Sequence, residues 1–159
     1  MIAKKINELI AKMGFVAMAT CDRDGRPNVA PKFFLKADGG HIYLVDYVIG
    51  RTSQNLTINP RASISIIDER SLTGYQVNGA VQVLSQGEEY DKAAREFLEK
   101  EINLSTMRIV EGVKKGERHS SFEAAFPKKI VIFKVKIDEA VEIGADGELT
   151  KEGYKGEKQ

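Results

Sequence analysis

Hydrophobic and polar positions alternate along much of this chain, and the alternation predicts a mainly β protein. From Ala62 to Ile66 every second residue is apolar and serines lie between, the pattern of a half-buried strand within Arg61–Asp68. Similar apolar runs predict five further strands, at Phe15–Asp22, Asn28–Ala37, His41–Val48, Thr73–Leu84 and Lys129–Ile137. Gly79 interrupts one of these runs and predicts a β-bulge or a close backbone approach there.

Helical spacing marks three other parts of the chain. Apolar residues from Ile6 to Met13 recur at helical spacing before Gly14, which predicts a first amphipathic helix. A short helix is expected after the third strand. A helical excursion is expected at about 88–127, and Ser105 is expected to cap a second short helix within it. Residues 1–144 are therefore predicted to form one domain, and the polar residues 145–159 a mobile tail.

Several predicted strands are apolar on both faces, and this limits the ways in which the sheet can be arranged. In Asn28–Ala37, Val29, Pro31, Phe33 and Leu35 share one face, while Ala30, Lys32, Phe34 and Lys36 share the other. An open sheet would leave one apolar face in water, whereas closure into a barrel, or burial in a dimer, would cover both. We therefore predict a six-stranded antiparallel barrel with peripheral helices.

Composition narrows the possible functions. The 159 residues contain 24 Lys plus Arg and 23 Asp plus Glu, so the net charge of +1 provides no global field for nucleic acid or an anionic membrane. The single cysteine, Cys21, rules out an internal disulfide and favours an inert core thiol in a reducing compartment. No stretch is typical of a signal peptide or a membrane span, so a cytoplasmic protein is expected. The sequence predicts no metal site.

The segment VIGRTSQNLTINP, at Val48–Pro60, carries the strongest candidate chemistry. It predicts a helix that begins with a glycine, a guanidinium and two hydroxyl side chains, which suits a phosphate monoester because helix amides attract anions. A connecting helix, with Arg51 in water and Thr52 or Ser53 as a cap, accounts for the same residues equally well. The nucleotide-binding glycine fingerprints do not occur, so a nucleoside triphosphate is not implied.

The order of three motifs resembles the FMN-binding split-barrel family, which includes pyridoxamine 5'-phosphate oxidase-like proteins and small FMN-binding proteins. The motifs are FVAMATCDRDGRPNVAPKFF, IYLVDYVIGRTSQNLTINPRASISI and GYQVNGAVQVL. The resemblance spans roughly Ile6 to Leu84 and resumes in the last strand. It implies a Greek-key split barrel and a homodimer that holds two FMN molecules at the subunit interface.

The resemblance also assigns residues to the cofactor. They are Val29, Ala30, Pro31, Lys32, Asp46, Tyr47, Val48, Arg51, Thr52, Asn55 and Gln76. Arg51 and Thr52 match residues that bind the FMN phosphate, residues 29–32 match the strand beside the flavin ring, and residues 46–48 match the strand end beside the ribityl chain. Gln76 matches a glutamine that reaches the flavin, in some members from the partner subunit.

Two of these assignments stay open between a structural role and a cofactor role. Asn55 belongs to the family motif, but it would equally tie the short helix to a neighbouring segment. Lys32 is either a solvated lysine on a polar strand face or a positive charge that stabilises the reduced, anionic flavin. His119, in the helical excursion, is likewise either a solvated loop histidine or a residue with a substrate or cofactor role.

The function implied is that of an FMN-dependent oxidoreductase acting on a small substrate. The chain departs from pyridoxamine phosphate oxidases in carrying Thr52 where they have a second cation, and in lacking their basic C-terminal segment. The alternatives are a non-enzymatic flavin-binding electron carrier and a split barrel that binds F420 or haem. No acid, base or nucleophile has persuasive spacing, so the catalytic residues, the substrate and the electron partner stay unassigned.

Overall fold

The computed structural model describes residues 2–116 and 129–153, which form three helices and seven strands. In chain order they are α1 (Ile2–Met13), β1 (Phe15–Cys21), β2 (Pro27–Asp38), β3 (His41–Asp46), α2 (Arg51–Ile58), β4 (Arg61–Asp68), β5 (Thr73–Leu84), α3 (Glu88–Lys115), β6 (Val131–Ile143) and β7 (Leu149–Gly153). Within these residues, no helix combines the length and the apolar character that crossing a bilayer requires. The six predicted strands are all present, and a helix lies in each of the three regions where helical spacing predicted one.

Six of the strands close into an antiparallel barrel. The hydrogen-bonded order is β3-β2-β1-β4-β5-β6-β7, and β3 also pairs with β6. That extra pairing closes the cylinder and removes the exposed edges that an open sheet would have. β7 lies outside the cylinder and pairs with the second half of β6. The predicted six-stranded antiparallel barrel is confirmed.

Two helices extend the core inside the barrel. The interior contains fully buried side chains such as Met18, Ile64 and Phe133, and the same cluster includes three isoleucines of α1 and Leu56 of α2. α1 runs into the start of β1 through Gly14, whereas α2 is hydrogen-bonded to Thr20 near the end of β1. The two helices therefore close opposite openings of the barrel.

The long helix α3 covers the outside of β2, β3 and β6. Its Phe97 is fully buried and meets the Phe33 ring edge-on, with 5.2 Å between centroids. Leu35, Tyr43 and Ile132 complete this second cluster. Both faces are buried in the middle of β2 and β3 and at the start of β6, which is why these stretches are apolar without clear alternation.

A bulge in β2 changes the face on which its last residues lie. The pairing with β3 shifts register between Phe34 and Lys36, so the prediction that Lys36 shares a face with Lys32 is wrong. Lys36 instead lies outside the barrel, where its Nζ is 2.6 Å from Glu96 Oε2 on α3. Lys100 stabilises the bulge, because its Nζ donates to the carbonyl oxygens of Phe34 and Leu35 at 2.8 and 3.2 Å.

The half-buried amine of Lys100 leads to a prediction about how stability depends on pH. Burial lowers the pKa of Lys100 below the ordinary lysine value of 10.5. The unfolded chain therefore keeps this proton to a higher pH than the folded chain does, and this group makes stability rise with pH between the two pKa values. We expect the free energy of unfolding of wild type minus that of Lys100→Met to increase over this range in denaturant titrations. A difference that is constant or falls with pH would contradict this assignment.

Gly79 lies at a second bulge, as its position in the sequence predicted. The β5–β6 register shifts between Asn78 and Gly79, and a Cβ at position 79 would overlap the carbonyl oxygen of Lys136. Because that obstacle is backbone, we expect Gly79→Ala to lower the free energy of unfolding by about 1–3 kcal/mol. Gly74→Ala in the same strand is the control, since its Cβ would make ordinary 3.6 Å contacts with Ile143. Equal losses for the two variants would show that the bulge does not require glycine.

Two segments differ from the sequence-based expectation. α3 is one continuous helix that includes Ser105, so Ser105 caps no second helix, and the part of the excursion at 117–127, with His119, lies outside the described residues. Residues 145–159 were expected to form a mobile tail, yet Leu149–Gly153 form a strand. A tight turn at Gly147, with φ of 85°, directs this strand back along β6. Its side chains are mostly exposed, which is why hydrophobic patterning did not reveal it.

Candidate functional site: a helix start at the barrel opening

The first turn of α2 presents backbone amides without acceptors inside the helix. Gly50 is the N-cap residue and provides no side-chain cap, and the first helical bond runs from Gln54 N to Gly50 O at 3.2 Å. The first turn contains no acidic residue. A Cβ at Gly50 would touch only Val48, at 3.6 Å, so space is available in front of the helix. The uncapped amides and the helix dipole together make this point favourable for an anion.

Three consecutive side chains surround these amides. Arg51 is exposed, and no carboxylate among the described residues pairs with it. Thr52 is buried and its Oγ1 accepts from Asn28 Nδ2 at 3.2 Å, which leaves the hydroxyl proton of Thr52 free for another acceptor. Ser53 Oγ is buried and has no hydrogen-bond partner in the described part of the chain. A buried hydroxyl without a partner is uncommon in folded proteins, so Ser53 is notable here.

The rest of α2 is tied to the barrel by amide side chains. Asn55 is buried, and its Nδ2 donates to Thr20 Oγ1 at 3.1 Å, which supports the structural role left open for it by the sequence. Asn59 donates to Cys21 Sγ at 3.2 Å. Cys21 is half-buried at the end of β1, so the expectation of a core thiol is wrong.

Lys32 lies beneath this helix start and is not solvated. The β2–β3 register pairs Phe33 with Val45, so Lys32 and Asp46 are the next residues on the two strands, and Lys32 Nζ lies 2.6 Å from Asp46 Oδ2. Its side chain is only 3% exposed, which excludes the solvated lysine considered from the sequence. The other carboxylate oxygen of Asp46 accepts from the Val48 amide at 3.0 Å. The positive charge of Lys32 is therefore paired within the chain.

Exposed apolar side chains border the helix start. Val29 and Pro31 project from the outer face of β2, while Ala30 is half-buried. Val48 is 67% exposed, and the Tyr47 ring centroid lies 5.7 Å from that of Phe97. These residues form an apolar surface beside the uncapped amides of α2.

The structure does not place Gln76 with the other predicted cofactor residues of the same chain. Gln76 lies on β5, and its Nε2 donates to Ser63 Oγ on β4 at 3.1 Å. In the sheet, β5 is the third strand from β2, so at about 4.8 Å per strand the separation is roughly 14 Å. The remaining ten residues lie on β2, at the end of β3 and on α2, around one opening of the barrel.

Sequence reasoning missed two features of the site. Asn28, which holds Thr52, was assigned only to the strand that follows the DGRPN turn, because nothing local connects it with α2. The Lys32–Asp46 pair depends on the β2–β3 register, and hydrophobic patterning does not report a partner 14 positions away. Lysine is rarely fully buried, and neither of the two roles left open for Lys32 was that of a buried lysine paired with a carboxylate.

Comparison with known proteins agrees with this architecture. A protein from Clostridium acetobutylicum, related to general stress protein 26 and described as of the pyridoxinephosphate oxidase family, superposes with a TM-score of 0.65. It is 15% identical, over 94% of this chain and 92% of that one. A pyridoxamine 5'-phosphate oxidase-related, FMN-binding protein from Nostoc punctiforme gives a TM-score of 0.55 at 11% identity, over 96% and 94% of the two chains. Both similarities concern the fold.

Comparison at the level of sequence shows which family the chain belongs to. The heme oxygenase HutZ of Vibrio cholerae is 33% identical over 67 residues, a match that spans 42% of this chain and 38% of that protein's length. The model of the pyridoxamine 5'-phosphate oxidase family matches residues 2–138, which include every element from α1 to the first half of β6. The chain therefore belongs to the pyridoxamine 5'-phosphate oxidase family.

Proposed function

We propose that this protein binds FMN with the phosphate at the start of α2 and functions as an FMN-dependent oxidoreductase. The uncapped first turn carries the proposal, because free backbone amides and an exposed guanidinium lie at the start of α2, and a partnerless hydroxyl lies two residues further along the helix. A phosphate dianion would give these donors acceptors, and a fork-shaped guanidinium suits its oxygens. The phosphate would also supply an acceptor for Ser53 after rotation of its side chain.

The flavin ring would lie along the outer face of β2. Val29, Pro31 and Val48 offer an exposed apolar surface there, and an exposed apolar surface beside a polar site is typical of a ligand or subunit interface. A second copy of the chain would cover the ring and bring its own Gln76 toward the flavin, because within one chain Gln76 lies three strands away from β2. We therefore propose a homodimer, which light scattering of the FMN-loaded protein would test. An FMN-loaded protein that is monomeric would contradict a site shared between two subunits.

FMN would supply the hydride chemistry, and the chain would bind and orient it. Lys32 would not act as a free charge beside the flavin, because Asp46 neutralises it. The non-enzymatic electron carrier differs from the oxidoreductase in one measurable property. Steady-state consumption of NADH or NADPH with a small-molecule acceptor supports the enzyme, whereas flavin reduction only through a redox protein supports the carrier.

Haem binding is the second candidate, and it is favoured by the similarity to a heme oxygenase over 67 residues. A haem iron needs an axial ligand such as histidine. Of the two histidines, His119 lies outside the described residues. His41 lies in a groove with Pro60, Lys134 and Lys136, at the opposite end of β3 from the connection into α2, and its Nδ1 is 2.9 Å from the Gly39 carbonyl oxygen. The uncapped helix start suits a phosphate better than a porphyrin, and this favours FMN over haem.

The absorption spectrum distinguishes the candidate cofactors. We expect flavin bands in the protein as purified, or after addition of FMN, with quenching of flavin fluorescence. The same protein titrated with haemin or with F420 under matched conditions provides the controls. A Soret band that develops stoichiometrically with haemin, with no response to FMN, would overturn the FMN assignment in favour of haem.

A further inference from the structure

A chain of contacts connects the interior of the barrel with the start of α2. Lys32 Nζ is paired with one carboxylate oxygen of Asp46, at 2.6 Å, and the other oxygen accepts from the Val48 amide, at 3.0 Å. The Val48 carbonyl oxygen then accepts from the Gly50 amide at 3.0 Å, and Gly50 is the N-cap of the helix. The connection between strand and helix is thus fixed by one carboxylate.

We propose that Asp46 is a positioning residue for the phosphate site and does not itself bind the cofactor. Both of its oxygens have partners within the chain, and a carboxylate has no hydrogen-bond donor to offer a phosphate. Its bond to the Val48 amide sets the direction in which the chain enters α2. That direction determines where the free amides and the Arg51 side chain point. This inference rests on the proposed FMN site and adds a residue that sets the position of its phosphate-binding groups.

Lys32 holds Asp46 in turn. A carboxylate at the end of a strand is ordinarily free to rotate into water, but here a buried ammonium group fixes it. Lys32 is 3% exposed and Asp46 is 15% exposed, so the pair is anchored in the barrel opening and not on the outer surface. The lysine therefore acts on the phosphate site only through Asp46.

Two double variants separate the acceptor for Val48 from the ion pair. Lys32→Met with Asp46→Asn removes both charges and keeps a side-chain oxygen that accepts from the Val48 amide. Lys32→Met with Asp46→Ala removes both charges and that oxygen as well. Neither variant leaves a buried charge without a partner, so both should fold, and thermal unfolding of the ligand-free proteins checks this. The readout is the ratio of FMN to riboflavin affinity by calorimetric titration.

The asparagine variant is expected to keep part of the wild-type preference for FMN, because its side-chain oxygen still accepts from the Val48 amide although Lys32 no longer holds the side chain in place. The alanine variant is expected to lose about tenfold of that preference, because a mispositioned helix start weakens a charge-assisted hydrogen bond to phosphate. Equal preferences in the two double variants would overturn the role of Asp46, while the wild-type preference would still support the phosphate site. No preference for FMN in the wild type would instead overturn the proposed function, and with it this inference.

Discussion

Arg51→Ala is expected to weaken FMN binding about ten- to hundredfold and to leave riboflavin binding nearly unchanged. Riboflavin has the same ring system without the phosphate, so it does not use the guanidinium. A charge-assisted hydrogen bond contributes roughly 1.5–3 kcal/mol, and about 1.4 kcal/mol corresponds to tenfold in affinity. Calorimetric titration of wild type and variant with both ligands measures the effect.

Arg61→Ala is the matched control, because Arg61 is also exposed but follows the opposite end of α2 and pairs with Asp138 at 3.1 Å. It should change neither affinity. Thr52→Ala should reduce FMN affinity in the same direction as Arg51→Ala but less, since a neutral hydroxyl forms the weaker bond. If Arg51→Ala lowers FMN and riboflavin affinity equally, α2 is a connecting helix and its start is not the phosphate site.

Asp46→Ala is expected to lower the free energy of unfolding by about 3–5 kcal/mol, since it leaves the buried Lys32 without a counter-charge. The loss should be measured by denaturant titration of the ligand-free protein, so that cofactor binding does not contribute. The pair itself stabilises little, because removing two charges from water costs about as much as their attraction returns. The large loss of stability in Asp46→Ala arises because the variant leaves one charge of the pair buried without a partner.

Lys32→Met with Asp46→Leu is the control for that prediction. The double variant removes both charges and fills the space with apolar side chains, so its stability should lie much closer to wild type than that of Asp46→Ala. If the single variant is as stable as the double variant, Lys32 reaches water when its partner is removed, and the ion pair is not enclosed as the geometry indicates.

Much of the fold is encoded in local patterns that can be recognised without a structure. β4 was predicted with the bounds that the structure shows, because alternating serines and apolar residues mark a strand with one buried face. The Gly79 bulge was predicted because a glycine in the middle of a strand usually marks a bulge or a close backbone approach. Closure of the barrel followed from strands that are apolar on both faces.

Features that depend on register or on distant partners were not predictable in this way. The β2 bulge contains no glycine or proline, and Lys100 on a helix 66 positions from Phe34 fastens it, so Lys36 was placed on the wrong face. For the site, Arg51 and Thr52 were identified because they are adjacent to a recognisable helix start. The paired state of Lys32 and the support of Thr52 by Asn28 required the folded arrangement of β2, β3 and α2.

The binding of FMN through its phosphate is tested most directly by titrating the wild-type protein with FMN and with riboflavin in the same calorimeter. The open amides of α2, with Arg51 beside them, predict saturable binding of both flavins, with FMN tighter by about tenfold or more. Equal affinity for the two flavins, or no binding of FMN, would contradict the assignment of this helix start as a phosphate site.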